Sequence, residues 1–118
     1  MHELAIAQSI VEAVEARAGE HNAARVKAVR LRIGEASGVV IESLSACFEM
    51  LTSLTPMLEG AQLLIDLVPH RARCRCCDSA FAVVDFITRC PACGEWSSEI
   101  ISGTELQILE MEIEPRRA

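Results

Sequence analysis

Aromatic residues and positive charge are both scarce in this chain of 118 residues. Aromatics make up 3% of the composition, with no tyrosine, one tryptophan and three phenylalanines, and the formal net charge is -6. Proteins that hold single-stranded nucleic acid use stacking aromatics and a basic groove, and a negatively charged protein repels phosphate. We therefore expect no nucleic-acid partner.

Long apolar runs are also lacking. No stretch approaches the ~20 consecutive apolar residues that a membrane-spanning helix needs, and the chain begins without the basic and apolar regions of a secretory signal. We therefore expect a cytoplasmic protein with no membrane association. Of the six cysteines, Cys47 stands alone and the other five are clustered. In a reducing compartment, clustered cysteines indicate metal binding more often than disulfides.

The hydrophobic pattern predicts an α+β fold with an insertion. Apolar residues at helical spacing predict one helix from Leu4 to Ala18, ended by Gly19, and another from Ile41 to Leu54. Alternating patterns predict strands at 26–33, 61–68 and 104–114. At Pro69 the composition turns basic and cysteine-rich. We therefore predict one α+β domain, 1–68 plus 104–118, interrupted by a zinc-binding domain at 69–103.

Four of the five cysteines of this insertion form two pairs, Cys74 with Cys77 and Cys90 with Cys93. Two residues separate the members of each pair and twelve residues separate the pairs, a spacing that lets four thiolates surround zinc tetrahedrally at ~2.3 Å. Because protein would fill every ligand position, the zinc is expected to be structural. Cys76 is a competing thiol that we expect to point away. Nearby arginines offset the thiolate charge: Arg71, Arg73, Arg75 and Arg89.

The second residue is a histidine, and this position has its own metal chemistry. The amine of Met1, the deprotonated amide of His2 and its imidazole can close fused chelate rings on a metal that accepts planar nitrogen ligands, and the amide of Glu3 can complete the set. Nickel(II) and copper(II) accept such a geometry, whereas zinc prefers a tetrahedron. The tripeptide alone is a weak signal, since a second-position histidine is usually an ordinary solvated residue.

Taken together, "MHELAIAQSIVEAV", "RVKAVRLRIGEASGV", the paired cysteines and "ELQILEMEIE" make the chain similar to the HypA/HybF family of nickel metallochaperones over its whole length. The resemblance implies two helices packed on a three-stranded sheet, with an inserted zinc-ribbon-like module. It implies nickel(II) as delivered cargo, held by Met1, His2 and Glu3, and structural zinc(II) on the four paired cysteines. It also implies a non-enzymatic role in maturation of nickel–iron hydrogenase or urease, with a GTPase nickel chaperone and the hydrogenase large subunit as partners.

The sequence departs from the family pattern in two places. Some members carry an acidic residue near the nickel site, where this chain has Val40; Glu42 or Glu35 is an alternative. Some members have histidines beside the cysteine pairs that make zinc ligation pH-dependent. This chain has none there, so we do not expect that exchange unless His70 supplies the ring.

Two other functions and two oligomeric states stay open at this point. A zinc-ribbon adaptor could bind nucleic acid through the four arginines, with Trp96 and Phe81 as exposed aromatics, although the net acidity argues against it. A metallohydrolase could use His2 and Glu3, but no three-ligand zinc set with a vacant position accompanies them. The pattern is compatible with a monomer or a homodimer.

Overall fold

The computed structural model describes residues 2–117, so Met1 and Ala118 lie outside the described part. The described residues form two compact units: unit 1 comprises 2–31, 39–66 and 107–117, and unit 2 comprises 32–38 and 67–106. The predicted division into two independent domains stays a prediction. The helices are α1 (Glu3–Glu20) and α2 (Ile41–Ser53), and the strands are β1 (Ala23–Gly34), β2 (Gln62–Val68), β3 (Arg71–Cys74), β4 (Ala80–Ala82), β5 (Ser98–Ser102) and β6 (Leu106–Pro115).

Helix α1 buries one apolar stripe, and it ends later than predicted. Its buried residues are Ala7, Ile10, Val11, Val14 and Ala18, which recur at the spacing of one helix face. Gly19 lies inside the helix and is not its end. The chain instead turns at Asn22, whose φ of 53° is left-handed, and asparagine is one of the few residues with a side chain that adopt this conformation readily.

Helix α2 packs against α1 within unit 1. It buries Leu44, Phe48 and Thr52, and it ends before Pro56 as predicted, because the residue ahead of a proline disfavours the helical region. Neither helix of the described residues has the length and apolar character needed to cross a membrane.

The sheet of unit 1 has the strand order β2-β1-β6. Its central strand begins at Ala23, three residues before the predicted start at Val26. The extension is explained by burial, since Ala23 and Val26 are each 1% exposed and small apolar residues continue the pattern of the strand. Together with the second sheet described below, these elements confirm the predicted α+β class.

Complementary charges join β1 to β6. In the ion pairs between these strands, the residue numbers rise along β1 while they fall along β6, which shows that the two strands are antiparallel. Arg30 is half-buried, and its guanidinium lies 2.8 Å from Asp66 Oδ1 and 3.0 Å from Glu110 Oε1. Both contacts raise the pKa of Arg30, with the hydrogen bond to Asp66 contributing most. The β1–β6 pairs are Arg25–Glu114, Lys27–Glu112 and Arg30–Glu110.

Unit 2 contains a second antiparallel sheet with the order β4-β3-β5. Its small core consists of Ala72, Cys74, Phe81, Val83 and Cys90. Phe81 was expected to be exposed, but it is 7% exposed because it pairs with Ala72 of β3 on the interior of this sheet. Phe86, at 73% exposed, is an accessible aromatic that the sequence interpretation overlooked.

Two glycines bring the chain segments of unit 2 into close contact. A Cβ added to Gly34 would lie 2.1 Å from the carbonyl atoms of Gly103, and a Cβ added to Gly103 would lie 2.4 Å from His70 Cα. Backbone hydrogen bonds join the same segments, from Gly34 N to Glu105 O at 2.7 Å and from Ala36 N to Gly103 O at 2.7 Å. A side chain at either glycine would therefore separate these segments.

Candidate metal centres

The thiols of Cys74, Cys77, Cys90 and Cys93 converge on one point of unit 2. Their four sulfur atoms lie within 4.8 Å of one another. The distance from Cys74 Sγ to Cys93 Sγ is 3.5 Å and that from Cys77 Sγ to Cys90 Sγ is 3.6 Å. A zinc ion with ~2.3 Å bonds to four sulfurs would separate the sulfurs by about 3.8 Å. The donor set and its spacing therefore fit a tetrahedral thiolate-bound metal.

The two cysteine pairs sit in turns of the same construction. In the first, Asp78 N donates to Cys74 O at 3.0 Å, and in the second, Gly94 N donates to Cys90 O at 2.8 Å. The residue after each pair is left-handed, with a φ of 62° at Asp78 and 79° at Gly94. This conformation is open to glycine and costs a residue with a side chain more. Each turn directs two sulfurs toward the same point.

The four thiols differ in how readily they ionise. Hydrogen bonds with the side chain and backbone of Ser79 lower the pKa of Cys77 to about 6. The backbone N–H of Glu95 acts to lower the pKa of Cys93, but contacts with the other thiols and desolvation outweigh it and raise that pKa to about 12. The backbone N–H of Cys77 is the main cause of a lowered pKa at Cys74. Four full negative charges are therefore unfavourable here without a cation.

Cys76 lies outside the converging group. Its backbone N–H donates to Cys74 Sγ at 3.4 Å, and its side chain is exposed. Desolvation, followed by the nearby Cys74, raises the pKa of Cys76. Cys76 therefore contributes a backbone donor to the cluster while its own thiol stays neutral. Cys47, the isolated cysteine of α2, is half-buried.

The four arginines near the cysteines do not behave as one set. Arg73 Nη1 donates to Asp78 O at 3.2 Å, and Arg89 Nε donates to Gly94 O at 3.0 Å. Among the described residues, Arg71 and Arg75 make no side-chain hydrogen bond or ion pair. Sequence reasoning missed this division, although one signal was available: Arg73 and Arg89 each directly precede the first cysteine of a pair.

The N-terminal tripeptide leads directly into α1. His2 is exposed and occupies the N-cap position with φ -90° and ψ 90°. The first intrahelical donor is Ile6 N, which reaches His2 O at 3.2 Å. The backbone N–H groups of His2 and Glu3 therefore precede the hydrogen-bonded part of the helix. The predicted nickel ligand Met1 falls outside the described residues.

The carboxylate of Glu3 connects this N-terminus to the start of α2. Glu3 Oε2 accepts a hydrogen bond from Val40 N at 3.2 Å. Position 40 therefore lies beside the tripeptide, and its side chain is a valine that is 55% exposed. Of the two acidic alternatives, Glu42 belongs to the first turn of α2, whereas Glu35 belongs to unit 2.

His70 is buried in unit 2 against an aromatic ring. It is 7% exposed, and its ring lies 5.5 Å from that of Phe86 in an edge-to-face arrangement. It is not a member of the group of four metal-ligating side chains. The structure therefore gives no support to His70 as a replacement ligand.

The fold and the cysteine cluster define an α+β protein with a four-cysteine metal-binding module. The family model for HypA, described as hydrogenase/urease nickel incorporation metallochaperone, matches residues 1–113. The chain therefore belongs to the HypA family, which confirms the resemblance inferred from the sequence. A metallochaperone transfers a metal and is not a catalytic enzyme, as predicted.

Relatives and solved structures agree with this membership. Hydrogenase maturation factor HypA of Geobacter metallireducens is 46% identical over 97% of this chain and 100% of its own length. The same factor from Prosthecochloris aestuarii is 41% identical with the same coverage. The solution structure of the Ni metallochaperone HypA from Helicobacter pylori matches with a TM-score of 0.69 and 23% identity over 98% of this chain and 100% of that chain. At that identity, the match shows a shared fold.

Proposed function

We propose that this chain binds nickel(II) at its N-terminal tripeptide and delivers it for maturation of nickel–iron hydrogenase or urease, while structural zinc(II) occupies the four-cysteine site. The observation that carries the nickel assignment is the position of His2. It is exposed, it is the N-cap residue of α1, and its imidazole and backbone amide are both outside the hydrogen-bonded part of that helix.

The start of α1 makes deprotonated amides available at little cost. Because Ile6 is the first intrahelical donor, loss of a proton from the amide of His2 or Glu3 breaks no helical hydrogen bond. Two deprotonated amides also balance the charge of nickel(II). The positive end of the helix dipole would therefore not face a net positive charge.

Glu3 contributes to this site in two separate ways. Its backbone amide is one of the proposed nitrogen ligands, with the amine of Met1 and the amide and imidazole of His2 as the others. Its carboxylate is held by Val40 N, which supports a positioning role for the side chain. An exposed site suits a protein that must release its metal, because an incoming ligand can approach the ion directly.

The remaining assignments follow from the same proposal. The spacing of the four sulfurs supports zinc as the resident metal of unit 2, with Cys74, Cys77, Cys90 and Cys93 as its ligands. With all ligand positions filled by thiolates, zinc would hold the module together and leave no position for water. We further propose a GTPase nickel chaperone and the hydrogenase large subunit as partners, and the cytoplasm as the compartment. All six cysteines are free thiols, which suits reducing conditions.

Nickel titration of the untagged chain tests the N-terminal site. The wild type is expected to bind one more equivalent of nickel than His2→Ala. The affinity of the N-terminal site in the variant should be more than about 100-fold weaker. The loss should be at least this large because even the loss of a residue that only orients a metal ligand costs 10–100-fold. Calorimetry gives the stoichiometry and affinity, and visible absorbance reports planar nitrogen coordination.

His21→Ala is the matched control, because His21 is exposed at the opposite end of α1. It should bind nickel as the wild type does. Equal stoichiometry and affinity in the wild type and His2→Ala would refute the proposed nickel site, and a loss in His21→Ala alone would move it to the other end of the helix.

A further inference from the structure

The two cysteine turns of unit 2 repeat one hydrogen-bond scheme at an interval of sixteen residues. The segments are "RCRCCDS" at 73–79 and "RCPACGE" at 89–95. In each segment, the carbonyl oxygen of the first cysteine accepts a hydrogen bond from the backbone N–H of the residue four positions later. It also donates from its backbone N–H to the carbonyl five positions later, Ser79 O at 2.9 Å for Cys74 and Glu95 O at 2.8 Å for Cys90.

The arginine that precedes each turn completes the repeat. Arg73 and Arg89 both donate to the carbonyl five positions ahead, which belongs to the left-handed residue after the second cysteine. Each guanidinium therefore joins the residue before the turn to the residue after it. A hydrogen bond from a charged donor is stronger than one between neutral groups, and both arginines also place positive charge beside a cluster of thiols.

We propose that Arg73 and Arg89 are positioning residues of the four-cysteine metal centre, each fixing the ends of one turn so that its two sulfurs keep the spacing that the metal requires. The inference rests on the proposed metal binding and goes beyond it, because it assigns a function to two residues that are not ligands. The planar guanidinium and its directed N–H groups are essential to this role, and a lysine ammonium lacks both.

The second turn depends on its arginine more than the first. A Cβ at Gly94 would lie 3.3 Å from Arg89 Nη2, so the guanidinium lies directly against the backbone of that turn. In the first turn the hydrogen bond is longer, and Arg73 also lies 3.7 Å from Asp78 Oδ1. That carboxylate is 86% exposed, so it holds Arg73 only weakly. Loss of Arg89 should therefore have the larger effect.

The test measures zinc release from the zinc-loaded full-length chain to an excess of chromophoric chelator. Arg89→Ala is expected to release zinc roughly tenfold faster than the wild type, since hydrogen bonds to charged groups contribute enough for at least that factor, and Arg73→Ala should accelerate release less. Arg71→Ala and Arg75→Ala are matched controls, because they remove the same charge from positions whose side chains make no hydrogen bond within residues 2–117. They should stay within about twofold of the wild type.

One further variant separates geometry from charge, and two spectroscopic measurements on it exclude misfolding. Arg89→Lys keeps the charge, and it is expected to release zinc nearly as fast as Arg89→Ala. Cobalt(II) replacing zinc should show a broadened thiolate charge-transfer spectrum in Arg89→Lys, while far-ultraviolet circular dichroism of the loaded variant stays like that of the wild type.

Three results would overturn the inference. Acceleration in Arg71→Ala and Arg75→Ala as large as in Arg89→Ala would show that only charge matters. Wild-type release from Arg89→Lys would show that the guanidinium geometry is unimportant. Failure of the wild type itself to retain one equivalent of zinc would overturn the zinc assignment as well, so the two failures are distinguishable.

Discussion

Units 1 and 2 bury very different amounts of apolar surface. Unit 1 buries large apolar side chains from α1, α2 and β1, whereas the apolar cluster of unit 2 has five members and two of them, Cys74 and Cys90, belong to the candidate metal site. A chain segment of this size rarely holds itself together without a metal or disulfide. The comparison indicates that hydrophobic burial stabilises unit 1, whereas unit 2 needs a further contribution, which a metal on its four cysteines would supply.

Removal of the metal should reveal the largest difference in stability between the units, because it is expected to unfold unit 2 and leave unit 1 folded. Structural zinc sites contribute roughly 10–16 kcal/mol of apparent binding free energy, so chelation or Cys90→Ser should unfold β3, β4 and β5 while α1 and α2 persist. Heteronuclear NMR of the full chain would show loss of dispersed signals from unit 2, while those of α1 and α2 remain. Cys76→Ser is the control and should keep both the metal and the fold.

Acidification should weaken metal binding by the four cysteines of unit 2. Metal binding needs thiolates, and the raised pKa of Cys93, about 12, means that this thiol keeps its proton at neutral pH until the metal displaces it. Binding therefore releases protons, and the affinity rises with pH. Persistence of a folded module after complete metal removal would contradict the comparison between the units.

A cavity in the core of unit 1 should destabilise unit 1 and leave metal binding in unit 2 unchanged. Phe48 is 2% exposed, and Phe48→Ala should lower the free energy of unfolding by about 3–5 kcal/mol in chemical denaturation. Met50 on the same helix is 50% exposed, so Met50→Ala should change it by less than about 0.5 kcal/mol. Zinc stoichiometry should be the same in both variants, and loss of zinc from Phe48→Ala would show that the two units are not stabilised separately.

The smallest effect is expected from the surface charges of the first sheet. Arg25 Nε lies 3.0 Å from Glu114 Oε2, and both side chains are 53% exposed. A double-mutant cycle with Arg25→Ala and Glu114→Ala should give a coupling energy of about 0.2–1 kcal/mol that falls as salt is added. A coupling energy that does not change with salt would mean that the pair interacts by packing and not by charge.

The sequence predicted the elements of this fold well where the pattern was long. Helical spacing located α1 and α2, and alternation located β1, because burial of one face leaves a clear period. The end of α1 was wrong, since a glycine indicates a helix end only statistically and Asn22 supplied the left-handed residue instead. The burial of Phe81 was missed because it depends on pairing with β3, which a local pattern does not contain.

The sequence predicted the cysteines of the candidate metal site but not the contacts that surround the two candidate sites. Cysteine spacing alone identified four residues whose sulfurs the structure brings within 4.8 Å, because two tight turns leave little geometric freedom. The separation of Arg73 and Arg89 from Arg71 and Arg75 was not foreseen, since it depends on which guanidinium can reach a carbonyl across a turn. The contact between Glu3 and Val40 joins residues far apart in sequence and required the tertiary structure.

The two ends of the inserted segment lie next to each other. Ser102 Oγ donates to Pro69 O at 2.7 Å, and Gly103 lies against His70. Between β2 and β6, a folded insertion is therefore a link of about three residues, whereas an unfolded one is a loose loop of about 35. The chain entropy of closing that loop differs by about 2 kcal/mol between the two states. A metal that keeps unit 2 folded would therefore add to the stability of unit 1 through chain connectivity, beyond what the hydrophobic core of unit 1 supplies.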